Sequence, residues 1–202
     1  MKNIIIFGAP GSGKGTQSDK IIAEFGVAHI STGDVLRSEI NAQTELGRTA
    51  STYIQDGKLV PDSLIIDMLA KKLDKLVKEI TTSEGNMLPG VIFDGFPRTI
   101  AQAEALDKML EERGEKVNVV IGLEVDDAEL IKRIVERGKT SGRADDNEET
   151  AKKRLDTYYA QTLPLKKFYE DQGKCVKING VGTIDGIYAD IRAAIKQSLI
   201  QN

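Results

Sequence analysis

An apolar run, Ile4-Ile5-Ile6-Phe7, passes directly into Gly8-Ala9-Pro10-Gly11-Ser12-Gly13-Lys14-Gly15-Thr16, and a helical pattern follows from about Lys14 to Phe25. This succession constrains the fold more than any other feature of the chain. A strand that is apolar at every position must be covered on both faces, as in a parallel sheet. A turn with four glycines between positions 8 and 15 can point successive backbone N–H groups inward around an anion without Cβ clashes. The start of the helix aims its positive dipole end at the same point, and Lys14 adds a mobile cation. A tight strand–helix turn would account for the glycines but not for Lys14, so a phosphate-binding loop is expected. The usual pattern, GxxxxGK[ST], places a hydroxyl residue directly after the lysine. Here Gly15 intervenes and Thr16 follows.

The rest of the chain repeats the alternation. Strands are expected at Met1–Phe7, His29-Ile30, Val91–Phe93, Val117–Val125 and Cys175–Ile178. Helices are expected near 34–40, 48–56, 63–80, 100–113, from Asp126 or Asp127 to Gly138, from Glu148 to Gln172 with a bend at Pro164, and over 184–200. In the helix over 63–80, Ile65, Leu69, Leu73, Leu76 and Ile80 form an apolar stripe. Apolar strands alternating with helices predict right-handed βαβ units and an α/β fold with a five-stranded parallel sheet. The stretch from Ser31 to Gly90 is too long for a simple crossover and reads as a partly separate helical flap. Thr81–Gly90 is a polar loop of no assigned function.

Composition narrows the chemistry. The chain has 202 residues and a net charge of −3. It lacks the basic surface of a general nucleic-acid or anionic-membrane binder. With one cysteine, Cys175, and one histidine, His29, neither an internal disulfide nor a four-ligand Cys/His zinc site can be built. His29 reads as structural and Cys175 as a strand residue. No apolar run has the length of a signal peptide or a membrane helix, so the expected location is the cytoplasm.

The nine arginines are more informative. Asp94 ends the third strand at its carboxyl end, where ligands bind in open α/β sheets, and can hold Mg²⁺ through water. Arg98 follows four residues later and Gln102 four further on. Ser31-Thr32-Gly33-Asp34, with Arg37, follows the second strand, and Gly57-Lys58-Leu59-Val60 can wall a cleft. Arg37 and Arg98 are fork donors suited to a second phosphate. Arg133 and Arg137 share one helix face, Arg143 lies in the loop after them and Arg154 on the next helix. Four such cations would repel one another unless an anion neutralises them. The acidic stretch Asp145-Asp146-Asn147-Glu148-Glu149 can orient them.

The segments Gly8–Gln17, Ile30–Arg37, Gly57–Val60, Asp94–Leu106 and Ser141–Leu155 together make the chain resemble the adenylate kinases, nearly end to end. The resemblance implies a P-loop three-layer sandwich with a helical AMP-binding flap and a short ATP-covering lid. Implied boundaries are core 1–30, flap 31–80, core 81–138, lid 139–146 and core 147–202. It implies reversible transfer from Mg·ATP to AMP, giving two ADP. Gly11, Ser12, Gly13, Lys14, Gly15, Thr16, Arg133, Arg137 and Gly182 would face ATP. Thr32, Arg37, Lys58, Leu59, Val60, Gly95, Phe96, Pro97, Arg98, Gln102, Arg143 and Arg154 would line the AMP side. Lys14, Arg98, Arg133, Arg143 and Arg154 would act in transfer. Long-lid relatives often hold zinc in the lid; the ligands are absent here by count. The expected enzyme is a cytoplasmic monomer acting on free nucleotides. The rival reading is a UMP/CMP-type kinase, but Thr32 and Gln102 offer hydrogen bonds suited to adenine. A GTPase-like switch would need an [NT]KxD motif, which the chain lacks.

Overall fold

A computed structural model describes residues 2–81 and 90–200. Its five strands are β1 (Lys2–Gly8), β2 (Ala28–Ser31), β3 (Gly90–Asp94), β4 (Val117–Glu124) and β5 (Cys175–Asn179). All pair in parallel, in the order β2-β3-β1-β4-β5. The five strands lie where the sequence predicts them; β1, β3 and β4 are runs of Val, Ile and Phe bounded by residues that stop them, and β2 is the short Ala28–Ser31 segment.

Alternation along β1 sorts its side chains into two cores. Ile4 and Ile6 join Ile21 of helix α1 (Lys14–Phe25) and Ile187, Ile191 and Ile195 of α9 (Ile184–Ile200). Ile5 and Phe7 join the opposite core. That core takes Ile65, Leu69 and Leu73 from α4 (Asp62–Thr81) and Ala103, Leu106 and Leu110 from α5 (Ile100–Glu111). It also takes Leu165 and Tyr169 from α8 (Pro164–Glu170). The result is a three-layer α/β sandwich with the sheet in the middle. Three residues of the predicted stripe on α4 are thus buried, and Leu76 packs against them. The side chain of Ile80, and most of the Thr81–Gly90 loop, lie outside the described residues.

Between β2 and β3 the described part of the chain is three helices joined by short turns: α2 (Thr32–Asn41), α3 (Glu45–Gln55) and then α4. Ser31 caps α2 by accepting from the Asp34 N–H, and Thr44 caps α3 by accepting from the Gly47 N–H, as expected of hydroxyl residues at helix starts. Gly47 is the contact point of the two helices; a Cβ there would lie 2.0 Å from the Glu39 carbonyl oxygen.

Two expectations are corrected. The helix after Asp126, α6 (Asp127–Ser141), runs past Gly138, so the polar loop expected over Lys139–Asp146 begins only at Gly142, in the left-handed region with φ 65°. Gly138 is there for space: a Cβ would lie 2.1 Å from the Asp146 carbonyl oxygen. The long helix over 148–172 is in fact α7 (Glu148–Thr157), one π-helical turn at Tyr158–Thr162, and α8. Pro164 cannot donate to the preceding turn, and α8 begins with it.

Candidate active site

Parallel register brings the candidate residues together. Asp94 pairs with Ile6 on one side and Ser31 on the other. The glycine turn after β1, the Asp94–Arg98 segment and the start of α2 therefore share the carboxyl edge of the sheet. An open cleft lies there, about 1030 Å³ with the solvent space of its mouth included. Its walls include Lys14, Thr32, Arg37, Lys58, Leu59, Val60, Gly95, Pro97, Arg98, Gln102 and Arg154. Phe96 does not line it; that side chain is in the core.

A second group surrounds the N-terminus of α1. Gly13 precedes this helix with φ 94° and no capping side chain. Its left-handed backbone is awkward for other residues, and, lacking a side chain, it caps none of the first helical N–H groups. Gly11 abuts α6, with an ideal Cβ position 2.8 Å from the Leu130 carbonyl oxygen. Arg133 donates to Glu129 at 2.7 Å and to the Gly180 carbonyl at 3.1 Å, which ties α6 to the loop holding Gly182. Ser12 is buried, while Gly15 and Thr16 are exposed.

The cations are crowded. Lys14 Nζ donates to the carbonyls of Gly8 and Ala9 at 2.8 and 3.0 Å. Burial pulls its pKa down to about 8; Asp94 opposes this, and Arg98, Arg154 and Arg137 add to it. Arg98 donates through Nε to the Gly95 carbonyl at 2.8 Å. Burial, then Arg154 and Arg37, bring it to about 10, against the pull of Asp94. Arg154 is lowered by burial and by Arg137 and Arg143, against Asp145 and Asp146. Arg143 is lowered by burial and by Arg37 and Arg137, against Asp146 and Asp34. In all four, burial is the first cause of the fall and neighbouring cations add to it, whereas Arg137, paired with Asp146, is raised; cations withdrawn from water and set close together suit an anion.

Carboxylates hold the arginines in place. Asp146, its side chain wholly covered, accepts from Arg137 at 2.7 and 2.6 Å and from Ser141 at 2.9 Å. Asp145 accepts from Arg154 at 2.7 Å. Arg37 pairs with Asp34. Asp94 stands slightly apart, 3.4 Å from Ser18 Oγ and 3.8 Å from His29 Nε2. Burial favours its neutral form, but His29, Lys14 and Arg98 outweigh that and keep it ionised.

Two residues escape a reading of the sequence. Thr157 lines the cleft one turn after Arg154, and Asp62 bonds Gln102 and Thr99. Asp62 follows Pro61 at the head of a helical pattern, so in sequence it looks like an ordinary helix start; nothing local shows its partner forty positions away.

Comparisons with known proteins agree with the geometry. The family model described as adenylate kinase matches residues 6–174. An adenylate kinase of Phocaeicola vulgatus is 58% identical over 197 residues, covering 98% of this chain and all of the relative. One of Bacteroides thetaiotaomicron is 58% identical over 195 residues, covering 96% of this chain and 98% of the relative. A more distant one, of Maricaulis maris, is 45% identical over 195 residues, covering 96% and 99%. By the fold, the crowded cationic cleft and these matches, the chain belongs to the adenylate kinase family.

Proposed function

We propose that the chain catalyses reversible phosphoryl transfer between Mg·ATP and AMP, giving two ADP, and so balances the adenine nucleotide pool. The observation that carries the reading is that Lys14, Arg98 and Arg154 line one cleft at the carboxyl edge of the sheet, each withdrawn from solvent and set beside other cations.

ATP would lie over the loop Gly11–Thr16, its phosphates against the N–H groups at the start of α1 and Lys14, and its base near the Gly182 backbone. Arg137 would approach its phosphates. AMP would lie in the cleft walled by Thr32, Arg37, Lys58–Val60, Gly95, Pro97, Arg98 and Gln102. Arg143 and Arg154 would stand between the two. Asp94, ionised at a strand end, fits a Mg²⁺ held through water, and the ion would offset charge on the triphosphate oxygens.

No side chain need act as a nucleophile, since the AMP phosphate is itself an anion. The protein's part is position and charge. Lys14, Arg98, Arg133, Arg143 and Arg154 stabilise the equatorial oxygens during in-line transfer. Water would compete with AMP and must be shut out. Closure of the helical segment 31–80 and of the short lid 139–146 over the core would do this. We extend the reading to a cytoplasmic monomer that meets free nucleotides; no helix among the described residues is long and apolar enough to cross a membrane.

A panel of AMP, CMP, UMP and GMP with Mg·ATP tests it. AMP should be phosphorylated fastest. Faster turnover of CMP or UMP would move the chain to the pyrimidine branch. Tight binding of an ATP–AMP bisubstrate mimic with no ADP formed from the separate nucleotides would refute the enzyme reading.

A further inference from the structure

Gln102 lines the cleft yet is only 2% exposed, and both ends of its carboxamide are engaged. Oε1 accepts from the Arg98 backbone N–H at 2.8 Å. Nε2 donates to Asp62 Oδ1 at 2.8 Å. The other oxygen of Asp62, Oδ2, accepts from Thr99 Oγ1 at 2.9 Å. Thr99 also caps α5 by accepting from the Gln102 N–H at 3.2 Å, so both ends of this arrangement are fixed to the backbone.

A carboxamide is nearly symmetric in shape but opposite in polarity at its two ends. Left to itself, it can turn over and read either of two complementary edges. Here a half-turn would place Oε1 against a carboxylate and the NH₂ group against an N–H donor. Two hydrogen bonds would become two repulsions, with the groups partly buried. Asp62 supplies the stronger half of this lock, because a carboxylate only accepts. Among the described residues, each end of the amide has one capacity without a partner: a second N–H, and a second lone pair on Oε1.

We propose that Asp62 is a positioning residue for base selection: by fixing the polarity of Gln102, it makes the cleft accept a 6-amino purine monophosphate and reject the 6-oxo counterpart. Adenine offers a donor at its amino group and an acceptor at N1. Hypoxanthine offers an acceptor at O6 and a donor at N1. A fixed amide that matches the first meets the second like against like, whereas a freely turning amide would serve both. The inference rests on the proposed placement of AMP beside Gln102.

The test is kcat/KM for AMP and for IMP, with Mg·ATP, in the wild-type chain and in Asp62→Asn and Gln102→Ala. Asparagine preserves size but can donate, so it tolerates the turned amide. The AMP/IMP ratio should fall about tenfold in Asp62→Asn, the discrimination carried by about one hydrogen bond, with KM for ATP unchanged. Gln102→Ala should abolish most of the preference. Should Gln102→Ala keep the wild-type ratio, the base is not read by Gln102, and the placement of AMP falls with the proposal. If Gln102→Ala loses the preference but Asp62→Asn keeps it, the placement stands and the lock alone is wrong. Asp62→Ser, whose hydroxyl also donates or accepts, repeats the measurement if the asparagine variant does not fold.

Discussion

Thr157 Oγ1 lies 2.9 Å from the carbonyl oxygen of Gly57 and 3.0 Å from that of Lys153. The first contact joins α7 to the segment before Lys58–Val60, across a hundred positions of sequence. The second lies within α7 itself. One hydroxyl proton serves two acceptors, so if the Gly57 segment moves away, the donor keeps a partner and its release costs little. The absence of a Cβ at Gly57 permits the approach; one built there would come within 2.9 Å of Lys153 Cβ. This geometry makes a weak, reversible latch on the proposed AMP side. Replacing Thr157 with valine should raise KM for AMP roughly fivefold, about the value of one hydrogen bond. KM for ATP should stay put, and Thr157→Ser should behave as wild type. Steady-state kinetics with each nucleotide varied in turn decides it; an unchanged KM for AMP means the contact is incidental.

Arg98 gives a second prediction. Its guanidinium is crowded by Arg154 and Arg37, and its Nε bond to the Gly95 carbonyl is the only side-chain hydrogen bond found for it among the described residues. Arg98→Ala should lower AMP-dependent turnover by about 10³ while shifting Tm by only a few degrees. Paired activity and thermal-melt measurements separate the outcomes. A large loss of Tm with modest loss of turnover would make Arg98 a structural residue.

Asp146 sets an acid limit. Burial pushes its pKa up, but Arg137, Ser141 and Arg154 more than compensate and hold it below the ordinary carboxylate value. A carboxyl group with a depressed folded pKa stabilises the fold fully above its unfolded pKa, near 3.9. It loses that stabilisation as pH falls through the folded value. Asp146→Asn should therefore lower stability at neutral pH by about 2–3 kcal/mol, or roughly 5–10 °C in Tm. The gap to wild type should narrow below pH 4. Denaturant melts from pH 3 to 7 would show it; a constant gap would assign the loss to packing alone.

Gly47 separates the two substrates. A methyl group 2.0 Å from the Glu39 carbonyl oxygen cannot be accommodated where α2 and α3 meet. Gly47→Ala should push those helices apart and move Thr32, at the head of α2, and Arg37, in its middle. AMP binding measured by calorimetry should weaken by at least about tenfold. ATP binding, on the opposite side of the proposed site, should hardly change. Equal loss of both would mean that the damage spreads to the sheet.

How much of this was legible in the sequence depended on whether a residue's partner was nearby. The strands could be read because runs such as Val91-Ile92-Phe93 carry their own stops, Asp94 and Gly95. The residue types of the site, Lys14 and the motif arginines, stood out for the same reason: their spacing is local. Gly138 misled because a glycine kept for the passing Asp146 carbonyl looks the same as a glycine that ends a helix. The π-helical turn before Pro164 could not be separated from a simple bend. Asp62 and Thr157 were missed because their partners, Gln102 and Gly57, lie far along the chain and neither carries an unusual local pattern.

The parallel register that sets Ser31, Asp94 and Ile6 side by side also bears on how the molecule is made. Ser18 reaches Asp94 across 76 positions, and Thr157 reaches Gly57 across 100. Pairings of such long range must pay loop-closure entropy before they return any stability, and they form slowly. During refolding, helix signal should therefore appear ahead of catalytic competence. The cleft is assembled only when the central strands have closed, so no early fragment of the chain can carry its chemistry.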